Sequence, residues 1–258
     1  MSDPTLLPAA GASAPEPGLS QLQRVTGVFS SPSRVFKDIA AGHRSWWLPF
    51  LIVLLTGAFM YGAITQEVTW RGVYENQQRN APAFAQRMMQ NMPAEQRAAA
   101  DRRGPTTQAV IWALSPLGLL LLNMIAALIL WPTINFGFGG KANYGAILAV
   151  TMYATLVLWP IKLLLGGIAL FAGALPDAFN LQNIAGTNIA YYFSKQDIGS
   201  ALYAILMYLD PLIIWNLVVT SIGVSIVAGT KRGSGYIAVF GWWILLVLIG
   251  VGFAAAFS

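Results

Sequence analysis

WWLPFLIVLLTGAFMYGAIT, residues Trp46–Thr65, decides how the rest of this chain is read. It is an uncharged apolar run of about 20 residues, the length an α-helix needs to cross roughly 30 Å of hydrocarbon. It opens on a tryptophan pair, and tryptophan favours the boundary between lipid and water. The composition makes lipid the solvent: of 258 residues, 56% are hydrophobic and only 10% charged, against about 25% charged in soluble domains. So little charge cannot cover a water-facing surface. The unit to count is therefore one helical bundle in a bilayer.

Working outward, the same rule finds four more apolar segments. Spans are expected at about 46–65, 109–136, 144–175, 201–228 and 236–257, making 46–258 the transmembrane domain of an all-α, polytopic helix bundle. The third segment is longer than a straight crossing needs, and Pro160 with Gly166 and Gly167 offers places to kink. Pro211 falls inside the fourth. Short turns at Gly137–Lys141 and at Lys231 and Arg232 join spans two to three and four to five. A polar, Asn-containing connection, Pro176–Gly199, joins three to four. Residues 66–108 instead turn polar, carrying Glu67, Arg71, Glu75, Arg79, Arg87, Glu95, Arg97, Asp101, Arg102 and Arg103. Helix-forming pieces there are broken at Pro82 and Pro93, which predicts a small helical extramembrane segment.

Ahead of the first span, residues 1–18 are rich in Pro, Ala, Gly and Ser and read as a disordered tail. Residues 19–45 read as juxtamembrane amphipathic helices. Leu19, Leu22, Val25, Val28 and Phe29 recur at helical spacing, Ser31 before Pro32 suits a helix start, and Gly42 suits a stop. Val35, Phe36 and Ile39 share one face, with Arg34, Lys37 and Asp38 elsewhere, as in a helix lying in the membrane interface. For orientation, Arg24, Arg34, Lys37, Arg44, Lys141, Lys231 and Arg232 fall on one side of five spans. Arg71, Arg79, Arg87, Arg97, Arg102, Arg103 and Lys195 fall on the other. The count is a tie, so the first helix and the short, acid-poor turns decide: N-terminus in the cytoplasm, C-terminus outside.

Few residues in the spans can carry chemistry. Lys162 and Asp210 are ionisable groups inside apolar runs, each costing about 2.5 kcal/mol or more if unpaired. Antiparallel neighbouring spans would put both in the outer half of the bilayer, where they can pair. The pair could be a polar site for an ion or head group at broken helices, as in transporters. The plainer alternative is structural neutralisation. Asn123, Asn135 and Asn216 suit interhelical hydrogen bonds. Gly166, Gly167 and Gly173, then Ser221, Gly223, Ser225 and Gly229, suit close helix approach, with an oligomer interface as the sharper alternative.

The sequence also narrows the function classes. It has no cysteine and one histidine, His43 beside Arg44, so neither a thiolate nucleophile nor a two-histidine zinc site can be built. Gly139, Gly140 and Lys141 lack the upstream glycine and following Ser or Thr of a phosphate loop. No catalytic residue, metal site or cofactor is predicted. No clustered basic face points to nucleic acid.

Three passages carry a resemblance. They are Phe29 through Phe36 followed by Trp46, Trp47, Leu48 and Pro49; Asp210, Pro211 and Trp215 followed by Gly223 and Gly229; and the Lys231–Gly235 turn before a last apolar helix. Over about Leu19–Phe257 the chain resembles the Ypt-interacting protein (Yip) domain family of five-helix membrane proteins, in particular its bacterial branch. The resemblance implies five spans and a cytosolic N-terminus. In eukaryotic members it implies association with Rab-type GTPases and partner membrane proteins. The long cytosolic domain and the Asp-Leu-Tyr-Gly-Pro motif of those members are absent here, so a Rab-type GTPase is not carried over as a partner. The expected function is that of a non-enzymatic protein of the bacterial inner membrane acting through a membrane-protein partner or a homo-oligomer. The alternatives are a small transporter, channel or lipid-handling protein using Lys162 and Asp210, and an anchor whose segment 66–108 recruits a soluble partner.

Overall fold

Lipid offers a backbone N–H or C=O no partner, so each apolar run must satisfy its own peptide groups as a helix. The computed structural model describes residues 18–81, 83–173, 181, 183–193 and 195–256. Within them, five helices are long and apolar enough to cross a membrane: Trp47–Arg79, Ser115–Gly137, Tyr144–Phe171, Pro211–Ala228 and Arg232–Ala256. The fold is all-α, without a strand among the described residues. The predicted tail, up to residue 17, lies outside the described residues, as do the far ends of the third and fifth predicted spans.

In chain order, α1 (Gln21–Ser30) and α2 (Pro32–Ala40) precede the first span. α3 (Trp47–Ala63) and α4 (Thr69–Arg79) form the first long helix, and α5 (Ala83–Gln90) and α6 (Ala94–Ala113) lead into α7 (Ser115–Pro132). α8 (Tyr144–Thr155) and α9 (Trp159–Phe171) are the halves of the third span. Then come α10 (Lys195–Ile198), α11 (Ser200–Tyr208), α12 (Pro211–Ala228) and α13 (Arg232–Ala256).

The first long helix has 33 residues and so runs about 50 Å, well past the hydrocarbon. Its halves join through a wide turn at Ile64–Val68, after which Thr69 takes a left-handed φ of 64°. α4 thus extends beyond the apolar part of this helix, and α6 returns beside it. The hairpin is closed by the Tyr74 hydroxyl (3.2 Å) and the Gln78 amide (3.3 Å), both donating to Asp101 Oδ1. The Tyr74 ring lies against Gly104, where a Cβ would collide with it. At the tip, Arg97 donates to the Met89 and Gln90 carbonyls, 2.7 Å each, capping α5. α4, α5 and α6 thus form a helical hairpin between the first two spans.

Inside the bilayer α8 is the axis: every residue from Ala146 to Thr155 is buried. It packs on α7, α12, α2 and α3, and a helix apolar on all sides is what such a position requires. The largest core cluster gathers Ile147, Tyr153, Ile134 and Val219 with Val28, Val35, Phe36 and Ile39 of the two leading helices. α2 thus presents its apolar face to α8 and α12. Gly223 makes room for the Phe36 ring, and Gly235 lets α13 approach the Ser221 carbonyl of α12. A second cluster, at the end of the bundle that carries the α4–α6 hairpin, joins Met60, Ala63, Ile64 and Val68 to Leu163, Leu170 and Ile184. α7 and α13 lie at the periphery, with most of their apolar surface turned outward.

Candidate functional site

Both predicted intramembrane charges sit where a span is broken. Pro160 opens α9, and the chain leaves helical geometry between Thr155 and Trp159. In the fourth segment Pro211 opens α12, and Leu209 and Asp210 separate it from α11. Proline suits the first turn of a helix because its missing N–H would be unpaired there in any case. Asp210 is extended and caps α12, its Oδ1 accepting the Leu212 N–H at 2.8 Å.

The other oxygen of Asp210 draws three elements together. Lys162 Nζ lies 2.7 Å from Oδ2, the Thr187 hydroxyl donates to it at 2.6 Å, and the Asn188 amide reaches it at 3.5 Å. Asn188 and Asn183 exchange amide hydrogen bonds of 2.8 and 3.2 Å. The Ile184 carbonyl rests against Gly166, 2.6 Å from where a Cβ would stand. Residues 183–188 of the connection between spans three and four therefore pack onto α9 and the break before α12. Asp210 is fully buried, and the Lys162 side chain is 14% exposed. Lys162 is 18 positions from Tyr144, and α12 has 18 residues. At 1.5 Å per residue each lies about 27 Å from the opposite end, near one end of its span and not at its middle.

Two of the predicted amides, Asn123 and Asn216, sit at the break that ends α8, and Asn135 sits at the turn between spans two and three. Asn216 donates to the Ala154 carbonyl at 2.7 Å, just before α8 ends. Asn123 accepts from the Thr155 hydroxyl at 3.0 Å and donates to the Leu119 carbonyl at 2.9 Å. Asn135 pairs with both backbone groups of Ala142. Of the glycines, Gly166 meets the Ile184 carbonyl, Gly167 the Phe59 ring, and Gly223 the side chains of Val150 and Phe36. Gly229 has no such neighbour. Its left-handed φ of 66° ends α12, with Thr230 N–H reaching the Ser225 carbonyl at 3.0 Å. Asn123 and Asn216 lie apart from the Lys162 and Asp210 cluster, so the predicted polar residues form separate clasps and not one site.

A second polar cluster escaped the sequence reading. At the end of the bundle opposite the hairpin Arg24, 6% exposed, holds Asp38 Oδ2 at 3.3 Å and the His43 carbonyl at 2.6 Å. Its guanidinium stands 6.0 Å over the Tyr153 ring. Asp38 Oδ1 also receives the Leu19 N–H and His43 Nδ1. The Tyr153 hydroxyl donates to Gln21 Oε1 (2.7 Å) and the Ser45 carbonyl (3.0 Å). Arg24 and Asp38 flank the Ser31–Pro32 turn, and the hairpin brings them together. A tyrosine inside an apolar span was the available signal.

Among the described residues no three His, Asp or Glu side chains converge as metal ligands would. The Yip1 domain model matches residues 26–254. No curated protein matches the chain, and no solved structure does.

Proposed function

The chain belongs to the Yip1 domain family, and from that premise we propose that it is a non-enzymatic protein of the bacterial cytoplasmic membrane that acts by packing against a membrane-protein partner or a second copy of itself. The observation that carries this reading is the saturation of Asp210. Four donors on α9, α12 and the intervening connection already occupy its two oxygens, so the ion pair works as a clasp. The outward faces of α7 and α13 support it further: the most apolar stretch of each is only 22% and 11% buried. In this reading the N-terminus is cytoplasmic and the C-terminus outside. Photo-crosslinkers at Leu121 and Leu246, both lipid-exposed, are expected to trap a specific membrane protein or a dimer in native membranes. A monomer in nanodiscs together with no protein adduct from either site rules the reading out.

One observation favours a second reading, a small transporter: two broken spans meet at the charged pair, as discontinuous helices do at transport sites. The double variant Lys162→Met with Asp210→Asn separates the two. A folded double variant with normal physiology supports the clasp, whereas loss of a measured flux from it supports transport.

A further inference from the structure

The inner end of the bundle carries six exposed cations: Arg34, Lys37, Arg44, Lys141, Lys231 and Arg232. Contacts link them into an arc. Arg44 lies alongside Gly145 at the start of α8. Lys141, three residues earlier, donates its N–H to the Ala228 carbonyl at 3.0 Å, next to the turn that holds Lys231. Arg232 reaches the Ser33 hydroxyl at 3.3 Å, beside Arg34 on α2. Asp38 is the only acid at this end among the described residues. Its side chain is 9% exposed and already neutralised by Arg24. No carboxylate of the described residues pairs with any of the six. The outer hairpin differs, mixing Glu67, Glu75, Glu95 and Asp101 with its arginines.

The arc lies at head-group depth. Phe36 of α2 packs on Gly223, five residues before the end of α12, which is about 8 Å along the helix. Arg44 precedes the interfacial Trp46 and Trp47, Lys141 and Lys231 occupy turns between spans, and Arg232 opens α13. Long, flexible cationic side chains at this level are within reach of lipid phosphodiesters, and six cations divided among α2, the start of the first span, two turns and the start of α13 do not form the single clustered face that nucleic acid requires.

We propose that this rim is a binding collar for anionic phospholipids, its cations taking the phosphodiester of lipids with a net negative head group in preference to zwitterionic ones. The collar concerns the folded protein: a basic signal needed only for membrane insertion would leave no lipid preference afterwards. The proposal holds for either orientation and is independent of the partner reading above.

The test reconstitutes the purified full chain into vesicles of equal phosphatidylcholine and phosphatidylglycerol and reads the association of spin-labelled versions of each lipid by electron paramagnetic resonance. The chain is expected to favour phosphatidylglycerol, with the preference shrinking as salt rises. Replacing Arg34, Lys141, Lys231 and Arg232 together with Gln is expected to abolish the preference, each cation being worth on the order of fivefold for a lipid it holds. Arg102→Gln with Arg103→Gln, on the outer hairpin, is expected to change nothing. Should the quadruple variant fail to fold, Lys141→Gln and Lys231→Gln, both at exposed side chains, each must lower the preference alone. Equal association of the two lipids, or a preference that survives these substitutions, overturns the proposal. Inorganic phosphate is expected to compete no better than chloride at equal ionic strength. Stronger competition would reassign the rim to a soluble phosphate compound.

Discussion

At position 210 one aspartate serves two purposes: Oδ1 caps a helix that starts inside the membrane, and Oδ2 holds a lysine and a folded-back connection. Removing one member of a buried pair strands the other charge, whereas removing both also removes the desolvation cost. Lys162→Met or Asp210→Leu alone is therefore expected to destabilise the bundle by about 3 to 5 kcal/mol. Lys162→Met with Asp210→Asn, which keeps a capping side chain, is expected to recover most of that loss in detergent unfolding. Equal damage from the single and double variants would refute the clasp. Gly223 is a different kind of residue. A Cβ there meets Val150 and the Phe36 ring at 3.1 Å, so Gly223→Ala is expected to cost about 1 to 3 kcal/mol by overpacking. Gly241→Ala, with nothing within 4 Å, serves as the neutral comparison on α13.

At the scale of elements, α2 and the outer hairpin show how polar contacts place a helix. α2 buries Val35, Phe36 and Ile39 against α8 and α12 while Arg24 and Asp38 lock it to α1. Breaking that lock with Asp38→Asn, which leaves Arg24 buried beside a neutral amide, is expected to loosen the docked helices. Since the chain has no cysteine, an introduced Ile39→Cys reports this directly. It is expected to resist maleimide in the otherwise unaltered protein and to label several-fold faster with Asp38→Asn. In the hairpin, Gly104→Leu drives a side chain into the Tyr74 ring. It is expected to raise protease cleavage between residues 69 and 113 while leaving the thermal midpoint of the bundle unchanged. A fall in that midpoint would mean that hairpin and spans unfold as one unit.

For the whole molecule, the arrangement is a core around α8, a second cluster where α3 meets α9, and α7 and α13 at the periphery. Orientation is a property of this scale, because it belongs to all five spans together. Single cysteines at Asn91 in the hairpin and Gly233 in the first turn of α13 are expected to label from opposite sides. The proposed topology puts Asn91 in reach of an impermeant reagent added outside intact cells and Gly233 in reach only after lysis. The reverse pattern would invert the bundle and assign the rim of cations to the outer leaflet.

The solvent, the helical class and the five crossings were legible in the sequence alone, because span length against hydrocarbon thickness and the absence of charge are local properties of a segment. Lys162 and Asp210 stood out for the same reason, since a charge in a greasy run is visible without knowing its neighbours. Tertiary structure decided the partners. Thr187 and Asn188 reach Asp210 from a connection with no apolar pattern, and Arg24 finds Asp38 and Tyr153 only once α1 and α2 fold together. The pairing of α4 with α6 likewise appears only in the tertiary structure. Hydrogen bonds and ion pairs between distant segments depend on which helices become neighbours, and an apolar surface packs too indiscriminately to encode that choice in its periodicity.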